Sequence, residues 1–328
     1  MGQSRNIKQN LLKGFACISV VFIHITFPGL FGQIVSRASG YAVPIFFMIA
    51  GYYAFGKGQA NIKRRLLNIV KIFIWAYALH FLYNFAIAIL THKAGAWLSA
   101  NFNWTTPIKY ICFCTISFAI PLWYLIAMIE VYFFWLIIVK NGKEEAAVKA
   151  LPVLFLIQIL FTCYCETKNL PWFWKVNFVI RGLPWFLLGY YLHSPKAEAI
   201  KNMRSDKLWA LAIIGFVIAV IPTAFDLPIK FTVIGYIPYA FGLFVLTLKN
   251  PGQSICRPME YIGDCLSLYI YILHTLIGKT LNIILEKLKF DTNNMIYLWF
   301  KPIIAVLLSI FVSWIIYSFV KTRSKSSS

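Results

Sequence analysis

Two histidines stand alone inside long apolar runs: His24 in ISVVFIHITFPG and His274 in LSLYIYILHTLIG. Imidazole titrates close to neutral pH, so it suits taking a proton from a hydroxyl and passing it to a leaving group. In an apolar span such a group is costly unless it faces a polar cavity or a partner. One such residue reads equally well as a structural histidine bonded to a neighbouring helix. Two of them, near opposite ends of one apolar chain, point to a site inside a membrane protein, with His274 lining the same cavity as His24. No H-E-x-x-H or comparable ligand spacing accompanies them, so no metal is expected.

Other polar residues sit in similarly apolar surroundings. Asn10 and Lys13 open the run that leads to His24, which lies fourteen residues past Asn10, about 21 Å along a helix axis. Gly14 beside them permits close approach by another helix or a ligand. Trp123 and Tyr124 begin PLWYLIAMIE, which buries Glu130, and NFVIRGLPWFLLGYY buries Arg181. An intramembrane carboxylate needs a partner or water, so Glu130 either pairs with Arg181 or leaves Arg181 for a substrate. In IKRRLLNIVK, Lys63, Arg64, Arg65 and Lys71 form a basic collar. It reads as a topology determinant or as a phosphate clamp, since guanidinium forks match phosphate oxygens.

These residues must be held by membrane helices. The 328 residues are 60% hydrophobic and 13% charged, with a mean hydropathy of +0.72. A soluble domain runs near half apolar and about a quarter charged. A bilayer crossing takes roughly 20 apolar residues, so the length fits about ten. The expected fold is an all-α polytopic membrane protein of about ten transmembrane helices, near 11–29, 40–56, 68–91, 121–139, 150–164, 176–192, 208–224, 231–248, 265–285 and 296–320. They form one transmembrane domain, 1–320, followed by a short basic tail, 321–328, read as disordered. CFCTISFAI, ahead of the fourth, reads as a re-entrant or interfacial piece. The basic start followed by LLKGFACISVVFI reads as a retained first span, because no small-x-small cleavage pattern follows it.

The net charge of +20 would suggest nucleic acid in a soluble chain. Here the basic residues fall in short loops, which the positive-inside bias assigns to the cytoplasm, and no nucleic-acid partner is expected. KGQANIKRR, KNGKEEAAVK, HSPKAEAIKNMRSDK and KNPGQSICR lie on that side, as do both termini. The opposite loops, such as ETKNLPWFW and FDLPIK, are poorer in charge and richer in Trp. Of the seven cysteines, Cys112/Cys114 and Cys163/Cys165 lack the C-x-x-C spacing of zinc or redox sites. They read as small apolar residues, or as a bridge between the two regions if both face outward.

In order, the segments NLLKGFA…His24, FFMIAGY, KRRLLNI, WYLIAMI, RGLPWFLLGYY and YILH274 resemble acyltransferase family 3, the bacterial membrane-bound acyl-CoA-dependent O-acyltransferases of surface polysaccharides. The likeness covers nearly the whole chain. The departures are Asn10 for the family's acidic residue, Lys13 for its following arginine, Ala50 for the serine before Gly51, and Asn68 for the second arginine of its basic loop. They look like those of the shorter, single-domain branch, similar to the enterobacterial common antigen O-acetyltransferases and to the membrane domain of serine racemases.

The resemblance implies a bacterial inner-membrane enzyme that takes an acetyl group from cytoplasmic acetyl-CoA and passes it to a hydroxyl of a surface glycan or lipid-linked glycan at the outer face. Lys13, Arg64 and Arg65 would hold the CoA phosphates. His24 would act as base or as a transient acyl carrier, and Arg181 or Tyr124 would donate to the oxyanion. Asn10, Trp123, Glu130 and His274 would line the cavity. Two other classes share the buried polar groups. A transporter or flippase for a polar or polyprenyl-linked substrate would consume no acyl-CoA, and a non-catalytic binding module would hold a small ligand without turnover.

Overall fold

The computed structural model describes residues 6–225, 227 and 232–326, the last three of these for backbone only. Among the described residues there is no strand. The helices in chain order are α1 (Ile7–His24), α2 (Gly29–Ala38), α3 (Ala42–Tyr52), α4 (Gln59–Leu90), α5 (Ala94–Asn101), α6 (Thr106–Phe113), α7 (Trp123–Lys140), α8 (Glu144–Lys149), α9 (Leu151–Thr167), α10 (Leu183–His193), α11 (Glu198–Lys201), α12 (Ser205–Ala224), α13 (Thr232–Thr247), α14 (Arg257–Tyr261), α15 (Ser267–Lys287) and α16 (Met295–Ser326). Six stretches of the described residues are long and apolar enough to cross a bilayer: 29–52, 59–90, 120–140, 205–224, 257–287 and 295–323. Two shorter apolar helices, α9 and α13, join them. The chain is an all-α polytopic membrane protein.

Local chemistry explains the boundaries. Asn6 caps α1 by accepting from the Gln9 amide at 2.9 Å, which satisfies one of the orphan N–H groups of the first turn. Prolines near the starts of α6, α9, α10 and α14 occupy positions where the missing N–H costs nothing. Pro222, Pro238 and Pro302 lie inside α12, α13 and α16, as packed membrane helices tolerate.

The sequence reading needs correction at several points. The second apolar stretch begins at Gly29, since α2 precedes α3 across a short 3₁₀ turn. The helix expected near 40–56 ends at Tyr52, and Gly51 in its last turn is packed directly against the Phe186 backbone of α10. The tail expected to be disordered from Lys321 continues α16 to Ser326, where cations suit the negative end of the helix dipole; residues 327–328 lie outside the described residues, as does most of the FDLPIK loop. CFCTISFAI is the end of α6 followed by a largely buried irregular segment. All seven cysteines are described, and none forms a disulfide.

The chain forms two compact units. The first comprises residues 1–46 and 198–328, the second 47–197. In the first, α1 packs against α14, α15 and α16 around Cys17, Val21, Ile25, Ile262, Leu266, Ile270 and Ala305. A wide π-helical turn, Ile262–Leu266, joins α14 to α15. Gly14 and Gly263 allow α1 to cross there at backbone contact: a Cβ on Gly263 would overlap the Asn10 carbonyl, and one on Gly14 the Met259 carbonyl. In the second unit, α7 packs along α4 and beside a second π-helical turn, Phe178–Gly182, that leads into α10. Trp135, Phe186 and Tyr190 interlock there, the Trp135 ring 5.4 and 4.6 Å from the other two.

Candidate active site

His24 is the last residue of α1. There the chain leaves the helix toward Pro28, so the ring sits at a helix end. His274 arrives from α15, and the two ring centroids are 5.2 Å apart, tilted by 42°. His274 is fully buried, and its Nδ1 lies 3.1 Å from the Ile270 carbonyl oxygen. A carbonyl only accepts, so Nδ1 carries the hydrogen and Nε2 keeps the lone pair.

A cavity of about 360 Å³ opens on His24. Its polar lining consists of Thr26, Thr275, Lys279, Asn282 and Lys301 alongside His24. Residues 275, 278, 279 and 282 recur at three- and four-residue spacing, so one face of α15 supplies most of one wall. The lining takes Thr275 and leaves His274 one layer behind, against the expectation that both histidines line the space. The reason is the Ile270 bond, which holds the His274 ring along its own helix. Lys279, Asn282 and Lys301 were not singled out from sequence. The signal was present: Lys279 and Lys301 each lie inside an apolar span, where an ionisable residue is a candidate functional group.

At the other end of α1, Asn10 is locked by its backbone against Gly263, and half-buried Lys13 stands one turn from buried Cys17. Asp264 lies in the adjacent π-helical turn.

The remaining sequence candidates belong to the second unit. Arg64 is exposed near the start of α4 and donates to Asn61 Oδ1 at 3.2 Å. Arg65 is half-buried and reaches the Tyr132 hydroxyl on α7. Trp123 is buried, and Tyr124 packs edge-on to Phe47 at 4.9 Å. Arg181 lies in the π-helical turn, its Nε donating to the Lys175 carbonyl at 3.3 Å; Asn177 caps that turn by accepting from the Ile180 amide. The alternative pairing of Glu130 with Arg181 is not made. Glu130 Oε2 instead accepts from the Cys114 thiol at 3.0 Å, because Cys114 sits in a left-handed conformation at the end of α6 that turns it toward α7. His193, given no role from sequence, fixes the turn after α3: its Nδ1 is 2.7 Å from the Tyr52 carbonyl, and its ring stacks on Phe55.

A second cavity, of about 380 Å³, is lined in that unit by Phe55, Glu144, Glu145, Tyr190, Ser194 and Lys196 among others. Lys196 lies 2.6 Å from Glu145 and holds its carboxyl below the usual range. Among the described residues, no three His, Cys, Asp or Glu side chains could hold a metal ion.

The family profile described as an acyltransferase domain matches residues 7–318, running through both units. The chain belongs to this acyltransferase family and is a multi-pass membrane acyltransferase. Neither a curated protein nor a solved structure gave a match.

Proposed function

We propose that the protein is an O-acetyltransferase of the bacterial inner membrane, moving an acetyl group from cytoplasmic acetyl-CoA to a hydroxyl of an envelope glycan, free or lipid-linked, at the outer face. The observation that carries this reading is the placement of His24: the imidazole lines a cavity with several polar side chains at the end of α1, inside a chain of an acyltransferase family. Both termini are cytoplasmic in this reading, which follows from the Lys and Arg bias of the loops. The end of α1 that bears His24 then faces outward.

Neutral His24 takes the proton of the acceptor hydroxyl as that oxygen attacks the thioester carbonyl. The tetrahedral adduct collapses, the C–S bond breaks, and the imidazolium returns its proton to the departing CoA thiolate. General-base assistance of this kind contributes roughly 10²–10⁴-fold. His274 is a positioning residue, packed beside the His24 ring with centroids 5.2 Å apart. Exposed Arg64 is proposed to bind CoA phosphate as a charged donor.

The deciding experiment uses the purified full-length protein in nanodiscs with labelled acetyl-CoA and envelope glycan. Release of CoA with acetyl appearing on the glycan, abolished by His24→Ala, is the expected result. Movement of a glycan across the bilayer with no consumption of acetyl-CoA would reassign the protein to transport. Retained transfer by His24→Ala would remove His24 from the chemistry.

A further inference from the structure

The cavity at His24 offers donors and cations, and no carboxylate lines it. Lys279 and Lys301 supply two ammonium groups from α15 and α16. Asn282 stands three residues beyond Lys279, and its Oδ1 accepts from the Tyr297 hydroxyl at 2.7 Å. That bond takes one lone pair of the amide oxygen and steadies the side chain, whose NH₂ can only donate. Tyr297 is buried, and Lys301 Nζ lies 5.8 Å from its ring centroid. One buried tyrosine therefore steadies both the amide and the second lysine. Thr26 and Thr275 add hydroxyls. The volume falls within the roughly 300–1,000 Å³ of small-molecule pockets.

Lysines near helix ends in membrane proteins often only snorkel toward the headgroups. Two features separate this pair from that case. Both line the same cavity as His24, and a tyrosine-centred network holds one of them there with the amide. Two cations beside a wall of donors match an anion, because charge-assisted bonds to carboxylate or phosphate oxygens are the strongest such a wall can make.

We infer that the acceptor is anionic: it presents a carboxylate or phosphate to Lys279, Lys301 and Asn282 while its reacting hydroxyl lies at His24. This rests on the acetyl-transfer reading for the identity of the bound molecule as acceptor. It goes further in stating that a neutral glycan is a poor ligand. The anion can come from an acidic sugar or from a phosphate ester of a lipid-linked glycan.

The test is equilibrium binding to the full-length protein in nanodiscs of uncharged lipid. The probes are a disaccharide containing glucuronic acid, its neutral glucose counterpart, and a hexose 1-phosphate. Wild type is expected to bind one or both charged probes at least about tenfold more tightly than the neutral one. Preference for the glucuronate names an acidic sugar as the source, and preference for the phosphate names the phosphoester. Lys279→Gln with Lys301→Gln should abolish the discrimination, and Lys279→Arg with Lys301→Arg should restore most of it. Equal binding of neutral and charged probes by wild type overturns the inference without any variant. So does unchanged discrimination in the double Gln variant. Charge-selective binding in a protein that transfers no acetyl group would overturn the acetyl-transfer reading and leave the anion site standing.

Discussion

The imidazoles of His24 and His274 stand 5.2 Å apart at the meeting of α1 and α15, and only the first lines the cavity. Their environments assign different tasks. His274 is fixed by the Ile270 carbonyl and shut off from solvent, whereas His24 ends its helix and faces the open space. His24→Ala is expected to lower kcat by roughly 10²–10⁴-fold with little change in the KM for acetyl-CoA, measured by CoA release. His274→Ala is expected to lower kcat more mildly, by about tenfold to a hundredfold, and His274→Asn should recover part of the loss by donating to the same carbonyl. A variant that unfolds instead would broaden on size exclusion, which separates positioning from collapse.

The second prediction concerns the crossing of α1 over the π-helical turn. Gly263→Ala would drive a methyl into the Asn10 carbonyl, and Gly14→Ala one into the Met259 carbonyl. Backbone cannot rotate out of the way as a side chain can, so each should destabilise by about 1–3 kcal/mol. Thermal unfolding in detergent should show a lowered Tm for both. Gly95→Ala and Gly252→Ala meet nothing within 4 Å and should leave Tm near wild type.

Much of the fold was legible, and the reasons are physical. A membrane helix must be a long apolar run, so all ten expected positions contain helix. Pro and polar clusters between the runs marked the breaks. The two π-helical turns were not legible, although one of them holds Arg181, noticed as a charge in an apolar stretch. The turn at Ile262–Leu266 is packed by backbone contact between Gly263 and Asn10, from the far end of the chain, and no local pattern encodes that. The nearness of His24 and His274 was anticipated from their shared oddity. Lys279 and Lys301 carried the same signal inside the last two spans but were not singled out. Cys114 as the donor to Glu130 had no sequence cue, because it depends on the left-handed residue that ends α6.

Arg64 supplies the third prediction. Its guanidinium is exposed and donates to Asn61 Oδ1 one turn away, so removing it should disturb little structure. Arg64→Ala is expected to raise the KM for acetyl-CoA about tenfold with kcat nearly unchanged, the pattern of lost uniform binding. The effect should shrink with 3′-dephospho-CoA as donor if that phosphate is the one bound. Arg65→Ala removes a contact to Tyr132 on α7, so it should lower Tm as well. Unchanged KM in the Arg64 variant would return the collar to a topological role.

The last prediction rests on Cys114 and Glu130. The thiol is fully buried and donates to Glu130 Oε2 at 3.0 Å, while Cys112, two residues earlier, is exposed. A maleimide applied to the folded protein should therefore label Cys112 and spare Cys114, as read by peptide mass spectrometry, with the same intact mass before and after reductant. Cys114→Ser keeps a donor of similar size and should hold Tm close to wild type. Cys114→Ala leaves a half-buried carboxylate oxygen without its donor, a loss of about 1–3 kcal/mol. Adding Glu130→Gln to Cys114→Ala should recover part of that loss, because an amide leaves no unpaired charge behind. If Cys114→Ala proved as stable as Cys114→Ser, the thiol would be only a space-filler and Glu130 would be satisfied by solvent.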